Sequence, residues 1–246
     1  LSYYSKGPLV AWVISLGTAL FGDTELGVRI GAILGACLVQ ILAWLYLSRM
    51  VKRPDYGLWT LVILNTMPLF MASGMLMTTD NPLILCWTVA MISLYAATRI
   101  GDRPAWALPA LGLAMALGVL AKYMMLAFAG VALLHLLLLY RAGQVDKGTC
   151  FKVLGTTVLG GVAGFLPILI WNMQNDFVGF RHVGALAGVS EATEHSFIRL
   201  RTLPEFLGSQ VGLIMPWWMF FMLLGGYRAL IRVWRKKGDN SLVRDS

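Results

Sequence analysis

Seven apolar runs recur along this chain, and they limit its fold more than any other feature. They cover Leu26–Leu47, Leu58–Met77, Pro82–Thr98, Trp106–Ala121, Tyr123–Tyr140, Val153–Trp171 and Phe206–Tyr227. About 17–25 mostly apolar helical residues cross a bilayer core. With 58% hydrophobic and 13% charged residues and a mean hydropathy of +0.72, the 246 residues carry too much apolar surface for one aqueous core. The expected fold class is therefore all-α, a polytopic integral membrane protein with about seven transmembrane helices. The fourth and fifth runs are short and share a hinge at Ala121-Lys122-Tyr123, so they also suit a re-entrant pair. Ahead of the first run, Pro8–Phe21 is too short to cross and fits a helix lying in the interface. Phe21–Glu25 then supplies turn and N-cap chemistry for the next helix.

The net charge of +8 is a matter of topology. Fourteen of the 20 Lys and Arg residues fall on one side of the seven runs: Arg49, Lys52, Arg53, Arg99, Arg103, Arg141, Lys147, Lys152, Arg228, Arg232, Arg235, Lys236, Lys237 and Arg244. Lys6, Arg29, Lys122, Arg181, Arg199 and Arg201 fall on the other. Positive residues accumulate on the cytoplasmic side, so the richer side is expected there. The cluster Arg232–Lys237 reads as a contact with anionic lipid, not a nucleic-acid footprint. The expected layout is an outer loop with the interfacial helix (1–25), six spans (26–171), a polar outer loop (172–205), a seventh span (206–227) and a cytoplasmic segment (228–246). Leu at position 1, with no signal peptide before it, gives the look of a chain trimmed at its start.

Two charges stand out against this apolar background. Asp80 lies in Leu76–Leu85, "LMTTDNPLIL", between two runs; Lys122 stands between two more with almost no loop around it. Both fall on the outer side. Asp80 fits an N-cap for a helix starting at Pro82 or a carboxylate that orients an acceptor hydroxyl. Lys122 fits an interfacial lysine that snorkels to water or a cation held for an anionic headgroup. Lys6, Tyr3, Tyr4, Tyr123, Trp171, Asn172, Arg181 and His182 share that face. Phosphate-binding lysines, a carboxylate and a membrane-guided lipid on one surface suit group transfer from a lipid-phosphate donor. The chain has no Gly-rich phosphate loop, HExxH or GxSxG. Cys37, Cys86 and Cys150 share no metal-ligand spacing, and two of them read as lipid-embedded apolar residues. His135 reads as a buried hydrogen-bonded residue. His195 with Glu191 and Glu194 reads as part of a solvated helix.

Four blocks, Tyr3–Ala32, Pro68–Trp87, Gly112–Leu126 and Trp171–His182, together resemble glycosyltransferase family 39. Its bacterial members are membrane relatives of protein O-mannosyltransferases and of the lipid A aminoarabinose transferase. The resemblance implies a GT-C fold in the bacterial inner membrane and an active site on the periplasmic face. It implies a polyprenyl-phosphate sugar donor such as an undecaprenyl phosphate, no further cofactor, and inverting transfer to lipid A, a protein or a polysaccharide. Lys6 matches the lysine of a Lys-Pro-Pro-like block and would approach the lipid phosphate with Tyr4, Lys122 and Tyr123. Gly7 replaces that block's first proline, which is expected to loosen the turn. Asp80 matches a second-loop aspartate and is the expected catalytic residue; Trp171, Asn172, Arg181 and His182 would belong to a substrate loop. The family's main catalytic aspartate would lie upstream of Leu1, so residues 1–246 alone are expected to be inactive. A fragment of a secondary transporter or lipid flippase is the competing expectation. It calls for inverted repeats and polar groups at mid-membrane, and the sequence shows neither.

Overall fold

The computed structural model describes residues 7–99, 101, 103–186 and 203–242. Every regular element among them is a helix: α1 (Leu9–Phe21), α2 (Glu25–Leu45), α3 (Pro54–Thr66), α4 (Pro68–Met75), α5 (Asp80–Thr98), α6 (Ala107–Ala121), α7 (Phe128–Arg141), α8 (Lys147–Gln174), α9 (Val178–Leu186), α10 (Leu203–Ile214) and α11 (Pro216–Leu242). A π-helical turn, Tyr46–Met50, extends α2, and a 3-10 turn, Tyr123–Ala127, leads into α7. Among the described residues, four helical stretches are long and apolar enough to cross a membrane, up to six if each bent pair below makes one crossing. The α6 helix falls below that length: its 15 residues rise only about 22 Å.

The chain divides into two compact units. The larger contains residues 1–61 and 72–194; the smaller contains 62–71 and 195–246. In the larger unit, α5, α6, α7 and α8 surround one apolar core that includes Leu94, Leu111, Met115, Val119, Phe128 and Leu136. Small residues let α6 and α8 come together. A Cβ on Gly160 would lie 2.4 Å from the Gly112 carbonyl oxygen, and one on Gly164 would lie 2.2 Å from that of Ala116. Gly112/Ala116 and Gly160/Gly164 thus form matching small-xxx-small faces, the usual means of close helix approach in lipid. On the outside of this bundle, Phe151, Leu159 and Leu113 are exposed, as lipid-facing side chains should be.

The expected helix start at Phe21–Glu25 is present. Gly22 ends α1 at φ +74°. The Thr24 hydroxyl accepts the Gly27 N–H at 3.1 Å, and Glu25 pairs with Arg29 one turn on. The α1 and α2 helices pack at Gly17 and Gly27, where a Cβ on Gly17 would fall 2.1 Å from the Gly27 carbonyl oxygen. His135 is half-buried and sits 3.0 Å from the Thr98 hydroxyl. Cys37, Cys86 and Cys150 are free, respectively exposed, buried and half-buried.

Three sequence expectations need correction. The second run is not one helix: α3 and α4 meet at 73°, because Pro68 has no N–H to give and its ring crowds the preceding turn. The seventh run is likewise bent, by 97°, where Met215 takes φ +71° ahead of Pro216. Both bends fall in or border the smaller unit, where the Trp218 indole donates to the Thr66 hydroxyl at 2.8 Å. Residues 172–205 are not one irregular loop, since α8 continues to Gln174 and α9 follows.

Candidate active site

The two isolated charges meet. The Lys122 ammonium donates to Asp80 Oδ1 at 2.7 Å, across 42 residues of sequence. Each owes its position to a helix end. The α6 helix stops at Ala121, and Lys122 becomes extended at φ −160° and ψ 136°. Its N–H still bonds the Gly118 carbonyl at 2.9 Å while its own carbonyl accepts the Met125 N–H at 3.0 Å. The backbone there is satisfied without the side chain, and the ammonium projects from the junction toward α5.

Asp80 is not the N-cap of a helix at Pro82; it is the first residue of α5, and Thr79 precedes it without a side-chain cap. Its neighbours organise the turn. Asn81, only 6% exposed, accepts the Thr78 N–H at 2.8 Å and the Thr78 hydroxyl at 3.2 Å. The Asn81 amide nitrogen donates to the Ser73 carbonyl at the end of α4. The Asp80 N–H donates to the Thr78 hydroxyl at 3.3 Å. The Asp80 carboxylate is therefore released from backbone duty. Oδ1 takes Lys122, and among the described residues Oδ2 has no partner. The side chains are 48% exposed for Asp80 and 33% for Lys122. Lys122 is thus a paired cation, not a snorkelling one. Pairing is the economical arrangement for charges at the edge of an apolar bundle.

Aromatic rings flank the junction. Tyr123 lies edge-on to Phe165 at 6.4 Å, and Phe165 stacks on Phe180 of α9 at 5.9 Å. Asn172 secures α9. It is 1% exposed; its side chain donates to the Ile168 carbonyl at 3.0 Å and accepts the Phe180 N–H at 3.2 Å. Its carbonyl takes the Phe177 N–H at 2.8 Å, which supports the left-handed pair Asp176 and Phe177, at φ 53° and 55°. Of the expected substrate-loop residues, Asn172 is therefore spent on structure. Trp171 is half-buried, Arg181 is exposed and its guanidinium bonds the Asp176 carbonyl, and His182 is half-buried.

The segment before α1 reaches the same end of the bundle. Gly7 is buried, and a Cβ there would lie 1.9 Å from the Leu120 carbonyl oxygen, two residues before Lys122. Gly7 is therefore a close-packing residue; the expectation that it loosens a turn is replaced by this steric requirement. Tyr3, Tyr4 and Lys6 lie outside the described residues, as do Glu191, Glu194 and His195.

An open apolar groove of about 580 Å³ runs along α5 and the end of α2. Its lining includes Leu83, three residues after Asp80, and Met124, two residues after Lys122, together with Trp87, Met91, Ile92 and Tyr46. Over Leu83 to Ile92 this is about 13 Å of helix. No cluster of three His, Cys, Asp or Glu side chains occurs among the described residues.

Residues 5–171 match the profile of the dolichyl-phosphate-mannose-protein mannosyltransferase family. Two relatives align over almost the whole chain. The lipid A galacturonosyltransferase RgtD of Rhizobium johnstonii is 31% identical over 94% of this chain and 46% of its own length. The undecaprenyl phosphate-alpha-4-amino-4-deoxy-L-arabinose arabinosyl transferase of Pseudomonas aeruginosa is 26% identical over 91% of this chain and 38% of its own. The chain thus spans less than half the length of either. The crystal structure of ArnT from Cupriavidus metallidurans in the apo state superposes with a TM-score of 0.64 at 19% identity, over 90% of this chain and 40% of that one. The fold is that of a GT-C membrane protein.

Proposed function

The chain belongs to the dolichyl-phosphate-mannose-protein mannosyltransferase family, and from that premise we propose that it serves a membrane glycosyltransferase that moves a sugar from a polyprenyl-phosphate donor to an acceptor hydroxyl or phosphate. The observation that carries this reading is the Asp80–Lys122 pair, followed within three residues in each segment by Leu83 and Met124 of an apolar groove. The groove suits the prenyl tail, and the pair suits the phosphate and the incoming acceptor. The names of the relatives favour undecaprenyl phosphate as the lipid carrier and lipid A, or a similar glycolipid, as the acceptor. The charge asymmetry along the sequence favours the periplasmic side for this end of the bundle.

In the proposed reaction the acceptor oxygen attacks the anomeric carbon from the face opposite the lipid phosphate. The new C–O bond forms as the old one breaks, which inverts the configuration, and polyprenyl phosphate departs with the bonding electron pair. Asp80 Oδ2 accepts the hydrogen bond, and then the proton, of an acceptor hydroxyl. Lys122 divides its attraction between Asp80 Oδ1 and the departing phosphate, with Lys6 as a second phosphate partner. Trp171, Arg181, His182 and Tyr123 border the space left for the sugar, and Asn172 holds α9 beside them.

The test is sugar transfer in native membranes, with labelled undecaprenyl-phosphate sugars as donors and lipid A as acceptor. Label appearing in lipid A, lost with Asp80→Asn, is the expected result. Wild-type transfer by Asp80→Asn, or label that crosses the membrane without being transferred, would overturn the reading; the second outcome would favour a flippase.

A further inference from the structure

A second groove lies at the opposite end of the α5–α8 bundle, between α7 and α8. It has a volume of about 260 Å³, and its lining includes Leu133, Leu137 and Tyr140 of α7 with Lys147, Phe151 and Leu154 of α8. Its walls are apolar and open outward: Leu133 is 54% exposed and Phe151 77%. Lys147 and Tyr140 stand at its mouth. Among the described residues, neither the Lys147 ammonium nor the Tyr140 hydroxyl has a hydrogen-bond or ion-pair partner. Two neighbouring charges, those of Arg103 and Asp146, behave differently. Arg103 is 2.6 Å from the Thr149 hydroxyl and 3.8 Å from Asp146, and Asp146 caps α8. The Asp146 charge is thus already engaged, while that of Lys147 is free.

Lys147 is the first residue of α8, next to the Asp146 cap, whose carboxylate already answers the partial positive charge of the helix N-terminus. The Lys147 ammonium itself has no anion beside it among the described residues, and a phosphate would supply one. Lys147 to Leu154 spans about 10 Å of helix, which lets an acyl chain lie along Phe151 and Leu154 while its headgroup stays at Lys147.

We propose that this groove binds an anionic phospholipid of the adjacent leaflet, with the phosphate on Lys147 and Tyr140 and one acyl chain between α7 and α8. The site lies at the far end of the bundle from Asp80 and Lys122 and does not depend on their role.

The experiment uses spin-labelled dioleoylphosphatidylglycerol and dioleoylphosphatidylcholine with the protein in nanodiscs, and measures relative association by electron paramagnetic resonance. The expected result is a preference for the glycerol lipid that Lys147→Gln lowers on the order of five-fold, as one basic residue near a charged membrane should. Tyr140→Phe should lower it less, and Lys152→Gln should leave it unchanged, because Lys152 lines a different cavity, shared with Arg103. Equal losses from Lys147→Gln and Lys152→Gln would overturn the proposal and reduce it to general surface charge. Inorganic phosphate displacing the lipid label at millimolar concentration would overturn the acyl-chain contact and leave a simple anion site. A protein–protein dimer that excludes lipid from this face would overturn it as well.

Discussion

Two ends of one bundle use the same kinds of residue in opposite ways. At the Arg103 end, a carboxylate, a cation and a threonine all hold the chain. Asp146 accepts the Thr149 N–H at 3.1 Å and its hydroxyl at 2.5 Å, and Arg103 bonds Thr149 and its own turn at Arg99. At the Asp80 end the backbone work falls to neutral groups, chiefly Asn81 and Thr78. There the carboxylate and the ammonium are left to each other. Charge spent on capping is structural, whereas charge released from capping is available for chemistry.

The largest expected separation of the two ends comes from one substitution made at each. Asp80→Asn keeps the shape but loses the charge and the proton acceptor. A carboxylate in general-base use contributes about 10²–10⁴-fold, so sugar transfer in native membranes should fall at least ~10-fold with the melting temperature little changed. Asp146→Asn should leave transfer unchanged and lower the melting temperature only slightly, since Asn caps about as well as Asp but gives up the charge that faces Arg103. If the two variants behave alike, the contrast fails.

Next in size is Lys122→Met, which removes the partner of Asp80 and the proposed phosphate contact. The KM for donor should rise by about ten-fold, more than kcat falls, if the contact is worth the ~1.4 kcal/mol that a decade represents. A fall in kcat alone would move Lys122 from donor binding to positioning of Asp80.

Asn81→Leu should act through stability first. It removes the acceptor of the Thr78 N–H and one donor to the Ser73 carbonyl, and a buried polar group left unsatisfied costs about 1–3 kcal/mol. Thermal unfolding in detergent measures that cost. Asn81→Asp keeps the acceptor for Thr78 and should be milder if it stays ionised away from Ser73.

The smallest effect is expected from pH at the Arg103 end. The Thr149 hydroxyl, then its N–H, and more weakly Arg103 hold the Asp146 carboxyl below the usual carboxylate value. A lowered folded value means that this stabilisation is complete above the unfolded pKa, about 3.9, and is lost as pH falls through the folded value. Asp146→Ala should therefore lower the melting temperature at neutral pH, where the ionised cap is fully formed, and leave a flatter acid limb below about pH 4, where the wild type loses the same contribution.

Much of the architecture is visible in the hydropathy of the chain, because apolar runs report directly on lipid exposure. The two bends escape it: Pro68 and Pro216 sit inside apolar windows, and averaging hides a residue that breaks a helix without changing its polarity. The shared face of Asp80 and Lys122 follows from counting spans, but their contact does not, because the chain between them, a separation of 42 positions, carries no mark of register. Asn81 passes as ordinary helix-start chemistry beside Asp80 and Pro82. Its signal is a polar side chain just inside an apolar run, where it must find protein partners. Asn172 shows the reverse error. Its polarity places it among substrate-facing residues, while a 1% exposure and fully engaged amide place it in the scaffold.

The contact at Gly7 has an evolutionary consequence. A side chain at position 7 would meet a main-chain carbonyl at 1.9 Å, and backbone, unlike a flexible side chain, cannot step aside. No single nucleotide change that adds a Cβ there can be absorbed without moving the α6 terminus that carries Lys122. Position 7 and the residues around Leu120 should therefore have changed together in the family's history, as a linked pair separated by more than a hundred residues of chain.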